Sequence, residues 1–155
     1  MTVMKLELSH HSALLDADQQ AANFKRVREA HQSEVAEDYV ELIADLISTT
    51  GEARAVDIAR RLGVAHPTAV KTLARLQREE LVFSEPYRAV FLTEKGREIA
   101  EHSKHRHAIV VSFLRALGIS EEVAQRDAEG LEHHVSEETL AAFERVIQSK
   151  AVTPN

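Results

Sequence analysis

A mainly α-helical fold with one short β-hairpin set among the helices is what this sequence predicts, and three observations carry that reading. Ala, Leu, Glu and Arg are abundant, while the 155 residues include only five Gly and three Pro, a balance that favours helix. Apolar residues recur at spacings of three and four through several segments. Residues 81–92 depart from that period, with two β-prone runs on either side of a turn. A hydrophobic content of 44% with 28% charged residues marks an ordinary globular chain, of a size for one compact domain or two small ones.

Taken in order, residues 1–15 show no clear period, and His10-His11 there are set aside as metal donors because a chain terminus gives them no fixed partner. Asp16–Arg28 carries a weak helical pattern, an arm or a leading helix. Residues 33–48 are a clear amphipathic helix, with Val35, Tyr39, Leu42, Ile43, Leu46 and Ile47 on one stripe and Ser33 placed as its N-cap. Asp38 and Glu41 lie one turn apart on the edge of that stripe, with Glu34, Glu37 and Asp45 nearby and no Lys or Arg at i+4. Such a flank is either solvated or placed to hold a cation between this helix and another.

Thr50-Gly51-Glu52 ends the helix. Residues 55–64 read as a short helix with apolar positions at Val56, Ile58, Ala59 and Leu62, closed by a turn at Gly63. A second helix follows over 65–76, with Pro67 in its first turn, Val70, Leu73 and Leu76 as the buried row, and Thr68, Lys71, Thr72 and Arg75 left outside. Helix, glycine turn, then a helix with small polar and basic residues at its exposed start is the helix-turn-helix pattern; the competing reading is a helical hairpin with no ligand. Leu81–Phe83 and Ala89–Leu92 are two strands around a turn at 85–88 opened by Glu85-Pro86. A hairpin in that place is a wing, and Arg88 near its tip is placed to reach a phosphate or a minor groove.

Thr93 caps the next helix, which runs to about Leu117 before Gly118 and buries Ile99, Ile109, Val110, Phe113, Leu114 and Leu117. It carries His102, His105 and His107, and spacing does not choose among them. Ser120 caps a short helix, Ser136 caps the last one with Leu140, Phe143, Val146 and Ile147 as its apolar row, and residues 151–155 are expected to fray.

Charge and chemistry narrow the function. The net charge is −6, yet residues 54–97 hold nine Lys/Arg against five Asp/Glu, a local +4 that suits nucleic acid better than the total does. The absence of Cys excludes disulfides, cysteine–zinc sites and thiol catalysis. No apolar run reaches the roughly 18–20 residues of a membrane span and no signal-peptide pattern opens the chain, so a cytoplasmic protein is expected. The least ordinary stretch is Asp127–His134. On a helix, Glu129, Glu132 and His133 share one face while His134 points elsewhere, and Gly130 is expected to kink or restart the helix there. Two carboxylates and an imidazole at that spacing are either a solvated face or a ligand set for a first-row divalent ion.

Helix-turn-helix, wing, a histidine on the next long helix and the run Glu-Gly-Leu-Glu-His-His-Val-Ser together resemble the diphtheria-toxin-repressor-like metalloregulators, most closely their manganese-transport-regulator branch, over residues 33–150. The resemblance implies a winged helix-turn-helix DNA-binding domain over 31–97 and an all-helical dimerisation and metal-binding domain over 98–155. It gives residues 1–30, an extension partly helical or mobile, no role. It implies a binuclear manganese site in each subunit, made by Asp38 and Glu41 of Asp-Tyr-Val-Glu and by Glu129, Glu132 and His133 of Glu-Gly-Leu-Glu-His. The pattern Arg-His-x(5)-Phe-Leu-x-x-Leu-Gly adds His107 in preference to His102 and His105. The iron-sensing branch has Met and Cys where this chain has Asp38 and Glu132. Four carboxylates would balance two Mn2+ ions, and an oxygen-rich set suits a hard octahedral ion.

The expected protein is therefore no enzyme. It is a homodimeric, manganese-responsive regulator, mainly a repressor of manganese homeostasis genes, on a palindromic double-stranded operator and with no membrane partner. Its expected DNA contacts are Pro67, Thr68, Lys71, Thr72, Arg75 and Arg88. A winged-helix regulator answering to Fe2+, Zn2+ or a small organic ligand explains residues 54–92 equally well but leaves the two acidic pairs without a purpose. A di-metal carboxylate enzyme needs two Glu-x-x-His pairs that the acidic faces lack.

Overall fold

The computed structural model describes residues 14–85 and 87–151; His10, His11, Pro86 and 152–155 lie outside the described residues. Among the described residues the fold is made of six helices and one two-stranded sheet.

Helix α1 (Ala17–Thr50) is a single 34-residue helix. Asp16 caps it, its side chain accepting from the Asp18 amide, and Gly51 closes it at a left-handed φ of 85° with its N–H on the Ile47 carbonyl. Two expectations are thereby corrected. Ser33 is no cap; it sits mid-helix and its hydroxyl donates to the Ala30 carbonyl at 3.0 Å. The arm and the amphipathic helix are one element running through residue 30, because the Ala-, Gln- and Arg-rich sequence after Asp16 holds no Gly or Pro to stop it. The half before residue 31 is largely exposed; the half after it buries Ala36, Tyr39, Val40, Ile43 and Leu46.

Helices α2 (Ala55–Leu62) and α3 (His66–Arg78) meet at Gly63, which adopts the left-handed φ of 66° the tight turn requires. The buried row of α3 is Ala69, Leu73 and Leu76; Val70, expected inside, is 46% exposed. That row follows i, i+4, i+7, keeping Leu73 and Leu76 and replacing Val70 by Ala69. The hairpin pairs β1 (Val82–Phe83) with β2 (Phe91–Leu92) in antiparallel register, Val82 opposite Leu92 and Phe83 opposite Phe91, shorter than the β-prone runs. Ala53 adds a bridge to Val90.

Helix α4 (Glu94–Ala116) is capped by Thr93, whose hydroxyl accepts from the Gly96 amide at 3.0 Å and donates to the Glu80 carbonyl at 2.6 Å. Helices α5 (Glu121–Leu131) and α6 (Glu137–Ala151) follow, each opened by its expected serine. Leu117, expected inside, is 54% exposed, because α4 has already ended at Ala116.

The core has two parts. One joins the second half of α1 to α2, α3, the hairpin and Ala100 of α4; the other joins Ile109, Val110, Val111 and Leu114 of α4 to α5 and α6. Side chains such as Ile43 and Val110, with no exposed surface, each contribute about 1.5–3 kcal/mol of transfer free energy. Helix α4 is thus the shared spine, and between its two buried segments Ser103, Arg106 and His107 face the polar cluster described next.

Candidate metal centre

Three elements converge beside the middle of α4: the second half of α1, α4 itself, and the turn between α5 and α6. Gly130 does not kink α5, as had been expected; the helix runs through it to Leu131 and the Glu132 amide still bonds to the Ala128 carbonyl at 3.0 Å. Glu129 therefore lies in the last turn, while Glu132 and His133 lie just beyond it. Arg106 fixes that turn. Its guanidinium donates to the carbonyls of Glu132 at 2.9 Å and Val135 at 2.6 Å and to the Glu137 carboxylate at 3.1 Å.

Glu132 is the centre of the cluster. It is 1% exposed, yet no Lys or Arg pairs with its carboxylate among the described residues. Its two oxygens face different imidazoles: Oε2 lies 2.9 Å from His107 Nδ1 and Oε1 lies 3.2 Å from His133 Nε2. Glu129 Oε1 approaches the same His107 nitrogen at 3.8 Å, and Asp38 Oδ1 the same His133 nitrogen at 3.0 Å. Glu41, one turn along α1 from Asp38, accepts from the Ser103 hydroxyl at 2.9 Å and feels the charges of Glu132, Glu129 and His107. All six side chains expected at a metal site, Asp38, Glu41, His107, Glu129, Glu132 and His133, are thus brought to one place. His102 and His105 are not; they are exposed beside Glu137 and Glu144. His134 turns away to Glu34 and His31.

The electrostatics describe a site short of positive charge. Burial, with Glu132 and Glu129 nearby, pushes the Glu41 carboxyl up. Burial likewise raises Glu129, with Glu132 and Asp38 adding repulsion. For the histidines burial works downward but is outweighed. The Gln125 side chain and the charges of Glu132 and Glu129 raise His107, and bonds to Asp38, Glu132 and Glu37 push His133 up to about 12. The donor atoms themselves show the fit to a cation. His107 Nδ1, His133 Nε2 and both Glu132 oxygens are buried, and each ring nitrogen faces one Glu132 oxygen, at 2.9 and 3.2 Å, as a close charge contact rather than a well-aligned hydrogen bond. Buried polar atoms left without partners are costly and rare. A divalent ion bound by those atoms would satisfy them, and a set of four carboxylates and two imidazoles is a hard-ion donor set.

Sequence reasoning missed the residues that orient the donors. Glu37 Oε2 lies 2.5 Å from His133 Nδ1, the far side of the ring from Asp38 and Glu132. Gln125 Oε1 lies 2.8 Å from His107 Nε2 in the same relation, and the buried Ser103 holds Glu41. A partial signal existed: Glu37 is one turn before Glu41, Ser103 one turn before His107, and Gln125 one turn before Glu129.

On the other half of the molecule, Pro67, Thr68 and Lys71 are exposed at the start of α3, while Thr72 and Arg75 are half-buried, more than had been expected. Arg75 lies 3.5 Å from Glu79, and Arg88 is exposed at the hairpin turn, 3.0 Å from Glu85. No helix among the described residues is long and apolar enough to cross a membrane.

Comparison with known proteins places these two halves. Residues 31–90 match the N-terminal DNA binding domain of iron dependent repressors, and residues 93–155 match their metal binding and dimerisation domain. The chain is 55% identical over 130 residues to the transcriptional regulator MntR of Escherichia coli O6:H1, covering 84% of each chain. It is 46% identical over 101 residues to the HTH-type transcriptional regulator MntR of Geobacillus kaustophilus, covering 64% of this chain and 71% of that one. Among solved structures, a manganese-dependent transcriptional repressor in complex with manganese superposes with a TM-score of 0.67 at 30% identity, over 73% of this chain and 52% of that one. The manganese regulator SloR superposes at 0.65 and 25% identity, over 73% and 53%. The chain thus spans about half the length of these solved relatives. With both domains of the family matched in order and a curated MntR relative 55% identical over 84% of each chain, the chain belongs to the iron-dependent repressor family, in its MntR branch.

Proposed function

We propose that this protein is a manganese-responsive transcriptional repressor of the cytoplasm, homodimeric, binding two Mn2+ per subunit through Asp38, Glu41, His107, Glu129, Glu132 and His133 and reading a palindromic operator. The observation that carries the proposal is Glu132, a buried carboxylate facing two imidazoles, with no Lys or Arg paired to it among the described residues. A bound divalent ion supplies the missing positive charge. The rest is the work of the chain's own residues. Asp38 and Glu41 belong to α1, whose second half packs in the same core as α2, α3 and the hairpin. Glu129, Glu132 and His133 belong to the end of α5 and the turn after it, on the other core. Uncompensated, these four carboxylates repel one another and bias the two halves apart; neutralised, they hold α1 against the α5–α6 turn. The same contact sets where α3 stands relative to the dimer, so it decides whether two α3 helices enter major grooves about 34 Å, or a multiple of it, apart. Pro67, Thr68 and Lys71 meet DNA at the exposed start of α3, with Thr72 and Arg75 behind them and Arg88 at the wing. The proposal takes 31–97 as the DNA-binding domain and 98–155 as the dimerisation and metal-binding domain, with 1–30 as an extension.

DNA binding measured over a Mn2+ titration tests the reading. The expected result is tight binding only with Mn2+, saturating at two ions per subunit. Equal affinity in excess chelator would remove the switch.

A further inference from the structure

A second cluster of metal-ligating side chains lies outside the centre just described. His31 and Glu34 stand one turn apart on α1, and His134 comes from the α5–α6 turn 100 residues later than Glu34. His31 Nδ1 lies 3.2 Å and His134 Nε2 3.3 Å from one and the same oxygen, Glu34 Oε2. The two imidazoles meet edge to face, with centroids 4.9 Å apart and planes at 70°. All three donor atoms fall within 4.8 Å of one another. A tetrahedral zinc with bonds of about 2.0–2.1 Å holds neighbouring donors about 3.3 Å apart, close to the 3.2 and 3.3 Å between Glu34 and the two histidines.

We infer that His31, Glu34 and His134 form a separate metal site that takes a borderline ion of the zinc class, clipping α1 at its midpoint to the turn that follows α5. Two imidazoles and one carboxylate favour such an ion over manganese, because the nitrogen share is far higher than in the neighbouring acidic cluster. Three protein ligands leave a fourth position to water, as in open zinc sites. The location gives the site its consequence. Before residue 31, α1 is largely exposed, and the clip joins the first core-facing turns of α1 to the half of the molecule that carries α5 and α6. Glu34 also approaches Asp38 and His133, so the two clusters adjoin, but neither His31 nor His134 belongs to the manganese set.

Metal counting on the full chain tests this. Parent and the H31A/H134A double variant are loaded with excess Mn2+, dialysed against buffered Zn2+, and both ions are counted per subunit. The expected result is one zinc fewer in the variant, with the remaining ions unchanged; equal zinc in both overturns the site. Failure of manganese to bind its own cluster would alter both proteins alike and leave the difference readable. The His31 and His134 side chains are 64% and 31% exposed, so their loss leaves the core intact, which circular dichroism checks. Amide exchange over residues 17–34 supplies a second readout. Zinc is expected to slow it in the parent and not in the variant; identical exchange with and without zinc in the parent overturns the clip.

Discussion

Replacing Glu37 by Gln tests whether the metal centre depends on the residues behind it. Glu37 touches none of the converging donors; it holds the far nitrogen of His133 at 2.5 Å, while His133 Nε2 faces Asp38 and Glu132. A carboxylate in that position fixes the ring and its tautomer and raises its basicity toward a metal, and losing such a partner typically costs 10–100-fold in metal affinity. At 1.4 kcal/mol per decade that is about 1.4–2.8 kcal/mol. Glu37 is 26% exposed, so the change leaves the core packed. The Mn2+ concentration at half-maximal DNA binding should rise 10–100-fold, while DNA affinity at saturating Mn2+ stays as in the parent. A pH profile separates this from a general loss. Glu37 is among the groups that push His133 up to about 12, so in the parent protons compete with metal for that ring. Removing Glu37 weakens the proton's hold as well, so the variant's deficit should widen as pH climbs toward the parent's raised His133 value of about 12. A Mn2+ midpoint within twofold of the parent at pH 8 would refute the argument.

Other outcomes follow from the same geometry. Stability without metal should fall as pH rises, because every shifted group in the cluster is raised. Glu41 and Glu129 stabilise fully below their ordinary 4.5, His107 and His133 below 6.5, and each contribution is lost as pH climbs through the folded value, about 12 for His133. Thermal unfolding in chelator from pH 5 to 9 checks this, and saturating Mn2+ should reverse the slope, since binding displaces protons. Gly96→Ala places a Cβ 2.1 Å from the Leu81 carbonyl oxygen. The clash is with backbone, so a loss of roughly 3 kcal/mol and a drop in melting temperature of about 6–12 °C are expected by calorimetry. Lys71→Ala should weaken binding to all DNA sequences alike and reduce the salt slope by about 1, read from affinities across salt concentrations. Arg106→Met removes three bonds to the α5–α6 turn, and amide exchange there should accelerate before the rest of the chain changes.

Much of this was legible in the sequence because the signals were local. Gly51, Gly63, Thr93, Ser120 and Ser136 mark helix ends by backbone chemistry that needs no tertiary partner, and each sits at the boundary expected of it. The errors came where a local rule met a longer-range one. Ser33 followed by acidic residues looks like a cap, but a helix already under way from Asp16 keeps its own hydrogen bonds and the hydroxyl turns back to Ala30. Val70 is the larger apolar residue, yet Ala69 is the one inside, because the packing of α3 favours the small side chain where that helix is fully buried. Gly130 weakens a helix by propensity, but α5 still runs through it to Leu131.

The metal centre divides along the same line. The two acidic pairs and His133 were legible from spacing on a helix, which tells which side chains share a face, while His107 was singled out from the three histidines of α4 only by the family resemblance. What spacing cannot tell is which faces oppose one another. The pairing of Glu37 with His133, 96 residues apart, and of Ser103 with Glu41, 62 apart, exists only once α1 lies against α4 and the α5–α6 turn. That has a consequence for how the switch works. The groups that orient the donors come from across the cluster: Glu37 of α1 holds a histidine beyond α5, and Ser103 of α4 holds a carboxylate of α1. Loosening the contact between α1 and the α5–α6 turn therefore disorients His133 at the same time as it separates it from Asp38. Metal affinity and the position of α3 are then coupled through one packing event, so a variant that weakens the contact without touching a donor should lose manganese and DNA together.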